Sequence, residues 1–246
     1  MQANKLQALT IIIKSVLITL WISIAAIYRS YRGLESRLYC DQLLHWWAHN
    51  LLRFVRLSCR AYNPHDVRFE KNRAYIIMSN HSSLYDIPLT FAAIPGSIRM
   101  LAKRELFTVP IWGRGLKASE FVSIDRDNRR QALKDLDEAR KKMESGIVLW
   151  VAPEGTRSST GRLGEFKKGG FMLALRTGAT IIPIGIRGAF EVLPSRTLNF
   201  HLGRHAEIHV GKPIDASRFT NRTRNQLMEE VEAQIRKLAA LPKGAA

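Results

Sequence analysis

The stretch Gly146–Ala152, GIVLWVA, is a continuous apolar run followed at once by Pro153-Glu154-Gly155. Such a run, without polar alternation, is expected of a strand buried on both faces, as in a parallel sheet covered by helices. Working outward, Asn128–Ser145 has the charged amphipathic pattern of a helix stopped by Gly146, and Gly169–Thr177 reads as a shorter helix stopped by Gly178. Thr180–Ile186 (TIIPIGI) is a second apolar strand in which Pro183 and Gly185 mark an edge or a bulge. Ala74–Met78 (AYIIM) reads as another strand, and residues 204–210 (RHAEIHV) alternate like a half-buried one. Residues 223–240 close the chain with Leu227, Val231, Ile235 and Leu238 inward. Strand–helix–strand alternation predicts an α/β domain over residues 63–246, a largely parallel sheet flanked by helices.

Residues 1–62 differ in texture and are expected to form a two-helix membrane-associating segment. Ala8–Ile27 carries one charge, Lys14, over twenty residues. At about 1.5 Å per residue it is long enough for a hydrocarbon layer of roughly 30 Å. Arg29, Arg32 and Arg37 follow, which favours a cytoplasmic domain on an inner membrane. Arg37–Arg60 places Leu43, Leu44, Trp47, Leu51, Phe54 and Val55 at helical spacing among arginines, the pattern of an interfacial helix. Competing readings are a cleaved signal peptide, a buried helical hairpin, and a chance basic face on the second helix. The length of the apolar core and its internal lysine favour membrane attachment. On this reading, removing residues 1–60 frees the α/β domain from the membrane.

The chain has 246 residues, enough for one or two domains, and its 46% hydrophobic content excludes a disordered basic tail. Its 38 Lys+Arg against 21 Asp+Glu leave a net charge of +17, which favours a nucleic acid, an anionic membrane or a phosphorylated substrate. The surplus persists along the whole chain, unlike a detachable DNA-gripping arm. Cys40 and Cys59 have no zinc-like spacing and read as free thiols.

The segment Ser79–Asp86 (SNHSSLYD) directly follows the AYIIM strand. An imidazole can take a proton from a hydroxyl, and a carboxylate on its other nitrogen fixes the tautomer. Five positions separate His81 from Asp86, so neither a regular helix nor a regular strand brings them together; an irregular turn does. The same residues would equally serve as turn and cap chemistry. A second cluster, Glu154-Gly155-Thr156-Arg157, again follows a buried strand, where open α/β sheets bind ligands. Arg157 offers a fork for phosphate, and Phe166-Lys167-Lys168-Gly169-Gly170 adds charge at a helix start. A solvated glycine-rich loop is the alternative. Gly113-x-Gly115-x-x-Ala118 lacks the strand a dinucleotide site needs, and His201, His205 and His209 fall in a strand-like run, not on a metal-binding helix.

In order, the NHxxxxD segment, Lys103-Arg104-Glu105-Leu106, Phe121-Val122-Ser123-Ile124-Asp125-Arg126, PEGTRS with FKKG, and Ile182-Pro183-Ile184 resemble the 1-acylglycerol-3-phosphate (lysophosphatidate) acyltransferase family, over about residues 74–190. The resemblance implies His81 as general base and Asp86 as its orienting carboxylate. It implies Lys103, Arg126, Glu154, Gly155, Thr156 and Arg157 as the binding site for the acceptor's glycerol phosphate. It further implies lysophosphatidate and membrane phospholipids as partners, acyl-CoA or acyl carrier protein as donor, and no cofactor, metal or nucleic acid. The sequence departs from the family pattern at Lys117–Glu120 (KASE), at Ser123 and at Val151-Ala152. This leaves lyso-ornithine lipid, glycerol 3-phosphate and other lysophospholipids as alternative acceptors. A basic membrane- or nucleic-acid-binding module is the non-enzyme alternative.

Overall fold

The computed structural model describes residues 1–70, 72–125 and 128–241. The chain opens with helices α1 (Lys5–Tyr31) and α2 (Arg37–Phe54), then β1 (Ser58–Tyr62), β2 (Tyr75–Ser79) and α3 (Asp86–Ala93). It continues through β3 (Ile98–Lys103), α4 (Trp112–Ala118), β4 (Val122–Ile124), α5 (Arg129–Glu144), β5 (Val148–Val151) and α6 (Lys168–Thr177). β6 (Thr180–Arg187), α7 (Ala189–Val192), β7 (His205–Val210), β8 (Ile214–Asp215) and α8 (Arg224–Leu238) complete it.

The strands form one sheet in the order β1-β7-β6-β2-β5-β3-β4, with β8 also pairing β6. β6, β2, β5, β3 and β4 are mutually parallel; β7 and β8 run antiparallel to β6, and β1 runs parallel to β7. The expected largely parallel sheet is therefore present. Both faces are covered. Tyr75, Ile77, Val148 and Trp150 point into a core completed by α2 and α3. Ile76, Met78, Leu149 and Val151 point into a second core completed by α5, α6 and α8. That division explains why GIVLWVA and AYIIM show no alternation: each face of the pleat meets helices.

Pro183 lies in a central strand, not at an edge. β6 pairs β8 through Thr180–Ile181 and β7 from Ile184 onward, so Pro183 occupies the gap between the two partners. Its missing N–H thus leaves no ladder bond unmade. Gly185 has a separate cause: a Cβ there would lie 2.2 Å from the Leu238 carbonyl carbon, because the end of α8 packs directly on the strand.

The second N-terminal helix ends at Phe54, and residues 58–62 form β1 on the sheet. Leu44, Ala48, Leu51 and Leu52 of α2 are buried. Two buried or half-buried ion pairs bind this helix to the sheet. Arg37 forks onto Glu120 at 2.8 and 2.9 Å and also donates to the Ser145 carbonyl. Arg99, fully buried in β3, reaches Asp41 of α2 at 2.7 Å. The Arg37 hydrogen bonds, aided by the charges of Arg37 and Arg99, hold the Glu120 carboxyl below the usual carboxylate range.

α1 starts with a capping box between Asn4 and Gln7. Its two ends both touch the rest of the molecule. Ala3 N–H donates to the Phe200 carbonyl at 2.8 Å, and near the other end Ser23 abuts Gly115 of α4, where a Cβ would come within 2.5 Å. Only Ile11, Ser23 and Ala26 of α1 are buried. Leu6, Leu9, Ile13, Leu17, Ile24 and Tyr28 line its exposed face.

Candidate active site

β2, β5, β3 and β4 are parallel, so the segments that follow them all emerge at the same edge of the sheet. At the end of β2 the chain leaves the ladder, and Asn80 replaces the lost backbone pairing. Its amide donates to the Ile186 carbonyl at 2.9 Å and accepts from the Ile186 N–H at 2.8 Å. The Ser83 hydroxyl then holds the loop to the Leu193 carbonyl at 2.8 Å.

The irregular turn so formed brings His81 and Asp86 together: Nδ1 to Oδ2 is 2.8 Å. The same Oδ2 accepts the backbone N–H groups of Ser82 at 2.7 Å and Ser83 at 2.8 Å. An oxygen collecting these donors acts as a carboxylate, so the His81 nitrogen facing it carries the proton and Nε2 is the free base. Asp86 is fully buried, whereas the His81 side chain is 14% exposed, which leaves the ring reachable. The Trp150 indole packs edge-on against the imidazole, centroids 5.5 Å apart, and limits its rotation.

Glu154 is brought to the same place in a role the sequence does not display. It is buried, and its Oε1 accepts the His81 backbone N–H at 2.8 Å while Oε2 accepts the Gly164 N–H at 2.7 Å. Burial pushes this carboxyl's pKa up, against the pull of those two N–H groups. The Ser158 N–H closes the link by donating to the His81 carbonyl at 2.7 Å. Glu154 thus ties the loop after β5 to the loop after β2. Glu154→Gln puts an amide NH₂ where one N–H needs an acceptor, a loss of about 1–3 kcal/mol in a buried site. We expect that loss in urea unfolding, together with lower turnover; unchanged stability would refute the tie.

Gly155 turns the backbone at φ +75°, with its N–H bonded to the Ala152 carbonyl at 3.0 Å. Thr156 beyond it is exposed and Arg157 half-buried. Arg157 has no hydrogen bond or ion pair among the described residues. Lys103, at the end of β3, is exposed and pairs with Glu105 at 3.2 Å. Arg126 lies outside the described residues.

Several features belong to packing. Gly113 and Gly115 are small because a Cβ would strike the Phe107 carbonyl oxygen at 2.2 Å and Ser23 at 2.5 Å. His205 meets the Ser58 hydroxyl at 2.9 Å and His209 meets Glu207 at 2.7 Å, both on β7. Both cysteines are free thiols, and burial pushes Cys59 up to about 11, an inert range. Among the described residues, no three His, Cys, Asp or Glu side chains are grouped to hold a metal ion.

The whole chain is similar to the crystal structure of the 1-acyl-sn-glycerophosphate acyltransferase PlsC from Thermotoga maritima, with a TM-score of 0.78, 25% identity and 98% of each chain covered. It is 29% identical over 160 residues to the chloroplastic 1-acyl-sn-glycerol-3-phosphate acyltransferase LPAT1 of Arabidopsis thaliana, covering 64% of this chain and 45% of that protein. It is 30% identical over 166 residues to the 1-acyl-sn-glycerol-3-phosphate acyltransferase of Saccharomyces cerevisiae, covering 66% and 54%. The chain spans about half the length of these curated relatives. The acyltransferase family model matches residues 60–187, which contain the His81–Asp86 pair, both buried strands beneath it and the Glu154 loop; the chain belongs to the acyltransferase family.

Proposed function

We propose that the chain transfers a fatty acyl group from acyl-CoA or acyl carrier protein to the sn-2 hydroxyl of lysophosphatidate, giving phosphatidate. The observation that carries this reading is the His81–Asp86 pair with its basic nitrogen directed away from the carboxylate. The names of the similar proteins supply the acceptor.

His81 Nε2 accepts the acceptor's hydroxyl proton as the oxygen attacks the thioester carbonyl. The tetrahedral intermediate collapses, the C–S bond breaks, and the imidazolium returns the proton to the leaving thiolate. Asp86 stabilises the imidazolium in between. The thioester supplies the activated acyl group, so this reaction calls on no cofactor or metal. Lys103, Arg157 and Arg126 would hold the phosphate, with Gly155 and Thr156 shaping the loop. Glu154 acts by positioning His81.

The substrate is a membrane lipid, and α1 supports an interfacial site. Being held to the body at both ends, α1 lies along it with its apolar face outward, a geometry suited to binding in one leaflet. The arginines after α1 favour the cytoplasmic side of the inner membrane. In this reading the excess positive charge faces anionic lipid, not nucleic acid.

A panel of lysolipids and glycerol 3-phosphate, each with both donor types, tests the assignment. Lysophosphatidate should give the highest kcat/KM; preference for lyso-ornithine lipid or glycerol 3-phosphate would overturn it. Arg157→Ala and Lys103→Ala should each raise the KM for lysophosphatidate about ten- to a hundredfold, the worth of a charge-assisted hydrogen bond. An unchanged KM would remove that residue from the phosphate site.

A further inference from the structure

At the opposite edge of the sheet from His81 there is a cavity of about 740 Å³. Its walls are the end of α1, the start of α2, α4, and the residues leading into β4 and β5. Arg29, Arg37, Arg114, Lys117 and Lys142 line it, against only Glu35 and Glu120. Both carboxylates already have partners: Glu120 takes the Arg37 fork, and Glu35 accepts the Ser30 hydroxyl at 2.6 Å. The side chains of Arg114 and Lys117, three apart on α4, have no hydrogen bond or ion pair among the described residues. The walls are set close by the contact of Gly115 with Ser23.

We propose that this cavity binds the phosphate-bearing headgroup of an anionic membrane lipid, at a site separate from the catalytic one. Two observations select a lipid. The cavity has the charge and size for a headgroup, within the roughly 300–1,000 Å³ of ligand pockets. The exposed apolar face of α1 ends beside it, at Tyr28 and at Tyr31, which lines the cavity; these tyrosines are 56% and 87% exposed. Aromatic side chains at the end of an apolar stripe mark the headgroup level of a bilayer. The lipid source rests on reading α1 as membrane-facing; the anion site itself rests on the cavity alone.

The test uses the full chain, with phosphatidylglycerol as probe. Flotation is compared on phosphatidylcholine vesicles with and without phosphatidylglycerol, and dispersed short-chain phosphatidylglycerol is titrated by calorimetry. Arg114→Ala/Lys117→Ala should weaken binding to the anionic vesicles about thirtyfold, taking about 1 kcal/mol per cation and tenfold per 1.4 kcal/mol. Binding to neutral vesicles should not change. Gly115→Ala, which forces α4 from α1 without altering charge, should weaken the anionic increment as well. An equal loss from Lys5→Ala/Arg53→Ala, on α1 and α2 but outside the cavity, would reduce the effect to diffuse attraction and overturn the site. Equal competition by inorganic phosphate would overturn the lipid assignment. Failure on neutral vesicles alongside saturable binding of dispersed lipid would reject the membrane reading of α1 and keep the cavity.

Discussion

His81→Ala is expected to lower turnover by roughly two to four orders of magnitude, the usual worth of a positioned general base. The fold should survive, because the structural bonds at this position are made by its backbone: the N–H to Glu154 and the carbonyl to Ser158. Asp86→Asn is the sharper test of mechanism. An asparagine oxygen in the place of Oδ2 still accepts from the Ser82 and Ser83 N–H groups and from His81 Nδ1–H, so what it removes is the negative charge that stabilises the imidazolium. Turnover should fall strongly while KM for the acceptor changes little. Single-turnover assays with labelled thioester and lysophosphatidate measure both; near wild-type rates in His81→Ala would end the general-base assignment.

The parts of this architecture that were legible in sequence are those written in local pattern. GIVLWVA, AYIIM and the three amphipathic helices appear where expected because burial on both faces, or on one helical face, leaves a periodic trace. The His81–Asp86 contact was legible because a spacing of five after a strand needs a turn to make it. β3 was not: Arg99 interrupts Ile98–Lys103, and its burial is made tolerable by Asp41, a partner 58 positions earlier. β1 was absorbed into the preceding helix because arginines and apolar residues alternate across both. The hydrogen bonds of Glu154 were not legible either. A motif carboxylate next to an arginine suggests ligand contact, and only the tertiary structure shows it accepting the His81 and Gly164 N–H groups.

That misplacement of β1 changes what truncation should do. The sequence divides the chain near residue 62, and cutting there suggests a soluble catalytic domain released from a membrane anchor. A cut after Leu57, sparing β1, would still uncover one face of the sheet, because Leu44, Leu51, Leu52 and Val55 belong to its core. At about 1.5–3 kcal/mol per buried aliphatic side chain, those four represent on the order of 10 kcal/mol, comparable to the whole stability of a typical domain. The cut would also strip Asp41 from the fully buried Arg99, leaving it the longer Glu120 contact at 3.9 Å, and removing one partner of a buried ion pair costs several kcal/mol more. We therefore expect the 58–246 fragment to aggregate and to show no cooperative urea transition; a monomeric fragment unfolding at the full-length midpoint would refute this. Removing residues 1–33 instead takes away only α1, with its three buried side chains, and leaves α2 and both ion pairs in place. That shorter deletion should keep a cooperative transition while losing vesicle binding, which separates the membrane role of α1 from the structural role of α2.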